Sequence, residues 1–186
     1  MRARGRRVGL AVSLGVAGSV LACGVAAAQM SAEVRGGLMV GNHTSTAAGL
    51  DWVPELSYEI RVARQLRPEV ALTAGFVRTA FGCEEGFCRG SEPTVTGNHA
   101  TLGAEWSWAW LWGRAGALYG TTRVGTAGEA PEAGFGLEAG AGIRIRFGRL
   151  RVRPGVSWRR LSADTPSRAD HAVAVGVDLG IGLEFD

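Results

Sequence analysis

At 186 residues the chain has room for one ordinary domain. Its 20 basic and 17 acidic residues give a formal net charge of +3, but Arg2, Arg4, Arg6 and Arg7 all lie in the first seven positions. Beyond residue 28 there remain 16 Arg against 17 Asp and Glu, a formal net of −1, so nothing argues for nucleic acid as a partner.

The N-terminus has the three parts of a secretory signal. The four arginines form a basic start, Val8 to Val20 is apolar and uncharged, and Ala26-Ala27-Ala28 offers an A-x-A cleavage site before Gln29. Residues 1–28 are therefore expected to be a cleaved signal peptide, and residues 29–186 the working domain. Val20-Leu21-Ala22-Cys23 loosely resembles a lipobox, so lipidation of Cys23 is the second reading. No later stretch reaches the ~18 uninterrupted apolar residues of a membrane helix.

Eight strands are expected in residues 29–186. The first covers about Ala32–Asn42, with Val34, Leu38 and Val40 on one face and Glu33, Arg35 and Gly37 on the other. The second, about Glu55–Gln65, sets Leu56, Tyr58, Ile60 and Val62 against Glu59 and Arg61. The third is about Val70–Phe81. Between it and the fourth stand Cys83 and Cys88, which an exported chain is expected to join as a small disulfide loop. The fourth strand, about Ala100–Trp108, alternates Leu102, Ala104, Trp106 and Trp108 with Thr101, Gly103, Glu105 and Ser107. The fifth, about Trp112–Arg123, leaves its register open, because Arg114 shares a face with Trp112 and Leu118.

The sixth strand, about Phe135–Phe147, opposes its apolar row to Glu138, Arg144 and Arg146. The seventh, about Leu150–Leu161, opposes Val152, Val156 and Trp158 to Arg151, Arg153 and Arg159. Its Pro154 removes one ladder donor and predicts a weak or bulged point. The eighth is the clearest. Val173, Val175, Val177, Leu179, Ile181, Leu183 and Phe185 share one face, and Ala172, Ala174, Gly176, Asp178, Gly180, Gly182 and Glu184 the other. The connectors alternate between short turns (Leu66-Arg67-Pro68-Glu69, Ala109–Leu111, Gly148-Arg149) and longer segments (His43–Pro54, Gly82–His99, Val124–Gly134, Ser162–Asp170).

This architecture resembles the small eight-stranded outer-membrane β-barrel proteins, the porin-like and opacity-protein-like group, over essentially all of residues 29–186. The resemblance implies an all-β, antiparallel, up-and-down transmembrane barrel with short periplasmic turns and longer extracellular loops. It also implies a bacterial outer-membrane location and an assembly signal in the last strand. That signal commonly ends in an aromatic residue, whereas here Phe185 is penultimate and Asp186 last.

Alternation alone does not say which face looks inward, since a soluble lipocalin-like barrel has the same period. An eight-stranded barrel has an interior just wide enough to be filled by side chains. The polar face suits that space, with glycine and alanine between Glu33, Arg35, Glu59, Arg61, Glu105, Glu138, Arg144, Arg146, Arg151, Arg153, Arg159, Asp178 and Glu184. These six carboxylates and seven guanidiniums are expected to form an interior ion-pair network, with Arg153 or Arg159 meeting Asp178 or Glu184. Trp106, Trp108, Trp110, Trp112 and Trp158, with Tyr58, are expected in interfacial girdles.

Candidate chemistry is sparse. His43, His99 and His171 are expected on the long-loop rim, where a metal site with Asp51 or Asp170 is the weaker reading beside plain solvated histidines. His43-Thr44-Ser45 with Glu138 or Asp51 is a fragment of a lipid A-modifying site, without the geometry of a triad. The expectation is a monomeric, non-enzymatic barrel that needs no cofactor, sits in outer-membrane lipid and meets any extracellular ligand through its loops. A narrow transporter of small hydrophobic molecules and a soluble lipocalin-like periplasmic binder are the alternatives.

Overall fold

Every described element is a strand, as expected from residues that alternate large apolar with small or ionised side chains over runs of up to 17 positions. The structure, a computed structural model, describes residues 29–42, 51–82, 94–124, 130–164 and 171–185. The signal segment, the Cys83–Cys88 pair, His43 and Ser45 lie outside the described residues.

The elements in chain order are β1 (Met30–Asn42), β2 (Asp51–Arg67), β3 (Val70–Gly82), β4 (Thr94–Trp108), β5 (Leu111–Val124), β6 (Ala133–Ile143), β7 (Ile145–Phe147), β8 (Leu150–Ser162) and β9 (His171–Phe185). Neighbours in sequence pair antiparallel, and β1 pairs β9 from Met30↔Phe185 to Asn42↔Val173, which closes the sheet. Both β6 and β7 pair β8, so they are two parts of one stave interrupted at Arg144. The result is a closed barrel of eight staves.

The stagger of the ladder fixes the bore. Following register partners once round from Ala32, through Val62, Ala74, Leu102, Ala117, Leu137, Arg160 and Val173, returns to β1 at Asn42. The path has climbed from position 32 to 42, a shear of ten residues. With ordinary strand spacings this gives a tilt of about 40° and a backbone radius of about 8 Å. Such a bore holds side chains rather than a wide channel.

Two-residue turns at Pro68-Glu69, Ala109-Trp110 and Gly148-Arg149 gather at one end with Met30 and Phe185. Ala109 and Gly148 take positive φ, 51° and 62°, as tight hairpins require. Two sequence expectations change, and one is met. The fourth strand begins at Thr94, six residues before Ala100, and so takes in His99. The sixth breaks at Arg144, whose backbone N–H turns to Trp110 O (2.7 Å). Pro154 lies opposite this break and has no N–H to offer, the local weakness anticipated there.

The faces are inside-out relative to a soluble protein. Val34, Leu56, Ile60, Leu102, Leu137, Val177 and Phe185 are large, apolar and exposed, while Glu59, Arg61, Arg114, Arg153 and Arg159 are buried. A soluble lipocalin-like barrel would show the reverse, which removes that alternative. No described helix is long and apolar enough to cross a membrane; the strands supply the apolar belt.

Candidate functional site

The lumen holds the ionised side chains, and β2 carries its centre. Period-two alternation points Glu59 and Arg61 inward from adjacent inner positions. Glu59 gathers three guanidiniums: Arg61 Nε at 2.5 Å, Arg114 Nη1 and Nη2 both at 2.9 Å, and Arg159 Nη2 at 3.0 Å. These donors come from β2, β5 and β8, so the cluster ties distant staves together across the bore. Arg61 reaches on to Glu138 Oε1 (2.6 Å), which also accepts from Thr101 Oγ1 (2.6 Å), and donates to Thr73 Oγ1 (3.1 Å). Arg159 donates to Thr79 Oγ1 (3.0 Å).

A second cluster lies nearer the short-turn end. Glu33 accepts from Arg35 Nη2 (2.7 Å) and Arg153 Nη1 (2.9 Å), and Arg153 Nη2 lies 2.7 Å from Glu105 Oε2. Arg35 also pairs with Asp178, which Ser157 hydrogen-bonds. Gly180 makes room for this: a Cβ there would stand 2.7 Å from Glu33 Oε1 and 2.8 Å from Arg35 Nη2. Buried charges hold only when paired and hydrogen-bonded; the interleaving of signs supplies the pairing, while Arg114, Arg153 and Arg159 keep a buried Nε–H without an acceptor.

Between the two clusters stands Trp112. Its ring lies 4.4 Å from Arg35 Cζ on one contact and 4.5 Å from Arg153 Cζ on another, with Arg114 Cζ at 5.8 Å. A π-face attracts cations, so the indole offsets part of the positive charge gathered beside it. Its Nε1–H donates to Ile143 O (3.0 Å), a carbonyl facing the proline side of the break.

Several placements differ from the sequence expectation. Trp112 was assigned to an interfacial girdle, yet it is 2% exposed and lines the lumen. The Ala109-Trp110 turn explains this: pairing Trp108↔Leu111 forces Glu105↔Arg114, and so puts Trp112, Arg114 and Leu118 on the inner row. Arg114, left unassigned, could have been found from that hairpin register. Trp106, Trp108 and Trp110 are exposed at the short-turn end; Trp158 and Tyr58 also face outward but sit well up their strands, away from that group.

Arg144 and Arg146 are not in the lumen interior. Arg144 caps Ala109 O (2.9 Å) at the strand break, and Arg146, half exposed, meets Glu184 (3.3 Å) at the rim, where Arg151 joins it (3.4 Å). None of the four expected pairs between Arg153 or Arg159 and Asp178 or Glu184 forms. The register sets Arg153 opposite Gly180 and Arg159 opposite Ala174, so both long side chains reach across the bore instead. His99 is buried, within 3.3 Å of Thr122 Oγ1, rather than on the rim. Glu138 is committed to Arg61 and Thr101 inside the barrel, which removes it as an orienter for His43. No metal-binding cluster of His, Cys, Asp or Glu occurs among the described residues.

The long-loop half of the lumen is different again. Met39, Val77, Phe81, Val95, Leu118, Leu161, Ala172 and Ala174 form a buried apolar layer above the ionic one. The sequence carried a signal for it, since Met39 and Val77 stand in phase with the inner rows, but a two-faced reading of each strand hides it.

A closed eight-stave barrel with an apolar skin and an ionised lumen is an outer-membrane β-barrel of the smallest class, and the outer membrane is its place. Solved structures share the fold, among them these two. Neisserial surface protein A is 10% identical, with a TM-score of 0.59 over 84% of this chain and 97% of that one. Ail, the attachment invasion locus protein of Yersinia pestis, is 16% identical, with a TM-score of 0.54 over 85% of this chain and 99% of that one. No family model matches the sequence, and no curated protein does.

Proposed function

We propose that the protein is a monomeric, non-enzymatic barrel that does not conduct solutes freely and presents its long connections outside the cell, where they meet partners. The observation that carries this reading is Glu59, bound to Arg61 on its own stave and to Arg114 and Arg159 from two staves across the bore. A lattice anchored on several walls leaves a solute no path that does not break buried ion pairs, and the apolar layer above it bars hydrated ions again. The test is planar-bilayer recording. The wild type is expected to show no large steady conductance, and Glu59→Ala with Arg114→Ala and Arg159→Ala is expected to open one. A large steady conductance in the wild type overturns the reading.

One observation favours a second reading, passage of small hydrophobic molecules through the wall. The break at Arg144 faces Pro154, and directly outside lies an apolar groove of about 690 Å³ lined by Trp106, Trp108, Ile143, Pro154 and Val156. Ala141→Cys with Val156→Cys, outward-facing register partners beside the break, would lock this seam on oxidation. Uptake of an apolar probe that is unchanged by the lock excludes the route.

A further inference from the structure

At the strand break one side chain stands between the outer groove and the bore. The ladder on β8 stops at Gly142↔Gly155 and resumes at Ile145↔Val152, and Pro154 in the gap has no N–H to offer. Trp112 floors the groove beside Ile143 and Pro154, while the same ring lies 4.4 Å from Arg35 Cζ and 4.5 Å from Arg153 Cζ inside. Glycines seat it: a Cβ at Gly155 would stand 2.5 Å from its Cζ2, and one at Gly142 2.9 Å from its Nε1. Its Nε1–H is tied to Ile143 O, the last carbonyl of β6.

The guanidiniums behind the indole have matched charge but unmatched donors. Arg35 meets Glu33 and Asp178, Arg153 meets Glu33 and Glu105, and Arg114 meets Glu59. Yet Arg153 and Arg114, each 2% exposed, keep a buried Nε–H without an acceptor, and Arg153 is the nearer of the two to the indole. A donor left unmade in a dry site favours any acceptor that reaches it. A carboxylate would bring a further buried charge and upset the balance. A neutral carbonyl supplies the acceptor without the charge.

We infer that the groove and Arg153 behind it form one site for a neutral, planar, apolar molecule carrying a carbonyl group, with Trp112 as the hinged floor between them. The body of the molecule lies against Trp106 and Trp108, whose indole faces favour offset stacking with another ring. With Trp112 swung aside, the carbonyl oxygen accepts from Arg153 Nε–H. The groove, about 690 Å³, has the size usual for a small-molecule site. A hydrocarbon of the same shape fills it but leaves the donor unmet. The site rests on the seam reading above for its entrance, and it adds the class of molecule admitted and the residue that admits it.

The experiment compares three probes of one ring system: fluorenone, a neutral ketone; fluorene, which has no acceptor; and fluorene carboxylate, which is charged. Each is bound to the purified full barrel in lipid vesicles and referred to protein-free vesicles, so that the ester carbonyls of the bilayer compete throughout. The wild type should hold fluorenone roughly tenfold more tightly than fluorene, the factor of one hydrogen bond to a charged donor, and the carboxylate more weakly than the ketone. The infrared carbonyl stretch of bound fluorenone should fall relative to fluorenone in the bilayer alone. Arg153→Met with Glu105→Gln removes the donor and one matching carboxylate together, and should abolish both the preference and the infrared shift. Trp112→Phe frees the floor from Ile143 O and should speed fluorenone binding with the preference kept, while Trp110→Phe should change neither. Equal wild-type affinity for ketone and hydrocarbon overturns the inference without any variant having to fold. So does a carboxylate that binds best, or a preference that survives the paired substitution. An unchanged rate in Trp112→Phe overturns Trp112 as the floor. The entrance is tested apart from the site: uptake unaffected by the Ala141→Cys, Val156→Cys lock removes the seam route, whereas loss of the ketone preference removes the site.

Discussion

Glu59 accepts hydrogen bonds from three arginines in a space without bulk water, so its charge is worth far more to them than to itself. Replacing it with glutamine would leave Arg61, Arg114 and Arg159 without their shared partner. Breaking a buried pair from one side typically costs about 3–5 kcal/mol, and we expect Glu59→Gln to lose stability in that range, read as a lower urea midpoint for unfolding from lipid vesicles. An unchanged midpoint would mean the lumen is wet and the charges are screened. Trp112 offers a second residue-level check. In variants that keep one tryptophan each, brominated acyl chains should quench Trp106 and Trp158 strongly and Trp112 weakly, because only Trp112 looks into the bore. Strong quenching of Trp112 would place β5 in the opposite register.

At the scale of elements, β9 and β5 show what alternation reveals and what it conceals. In β9 the outward row is uniformly large and apolar and the inner row uniformly small or acidic, so both the strand and its facing follow from the residues alone. In β5 the inner row is Trp112, Arg114 and Leu118, and no single polarity labels it. Its facing follows only from the two-residue hairpin that ties it to Glu105. The ion-pair partners were illegible for a related reason. Period two tells which way a side chain points, but in a bore of about 8 Å radius a guanidinium can reach several staves, and the choice depends on where glycines leave room. The apolar layer around Phe81 escaped because the inner rows there mix Met39, Val77 and Leu118 with Thr79, His99 and Thr122, so no single polarity marks them. The facing of β9 yields a graded prediction: Val177→Arg, outward and mid-stave, should cost about 2–4 kcal/mol, whereas Leu183→Arg near the short-turn end should cost about 1 kcal/mol or less. Equal penalties in vesicle unfolding would contradict the assigned depth.

At the scale of the whole molecule, a shear of ten on eight staves leaves a cylinder that must be filled, and the chain fills it in two tiers of opposite chemistry. The tiers should fail differently. Phe81→Ala in the upper tier removes packing, with the roughly 3–5 kcal/mol typical of a buried aromatic truncation, and should respond little to salt. Loss of Glu59 should leave a residual stability that rises with added anions able to enter the bore. Measuring both variants across a salt series separates the tiers, and parallel salt curves would show that the lumen behaves as a single medium.

Met30 and Phe185 are register partners, so the outer ends of the first and last strands touch. The seam that completes the cylinder is thus the one whose halves are farthest apart along the polymer. In the finished cylinder it is an unbroken ladder, unlike the seam interrupted at Arg144. A short peptide joining these extremities, with a fresh opening cut at one of the long connections, should give an equally sound cylinder whose halves meet elsewhere. Assembly would then begin from a different edge and end at a different zip, with the same architecture as its product.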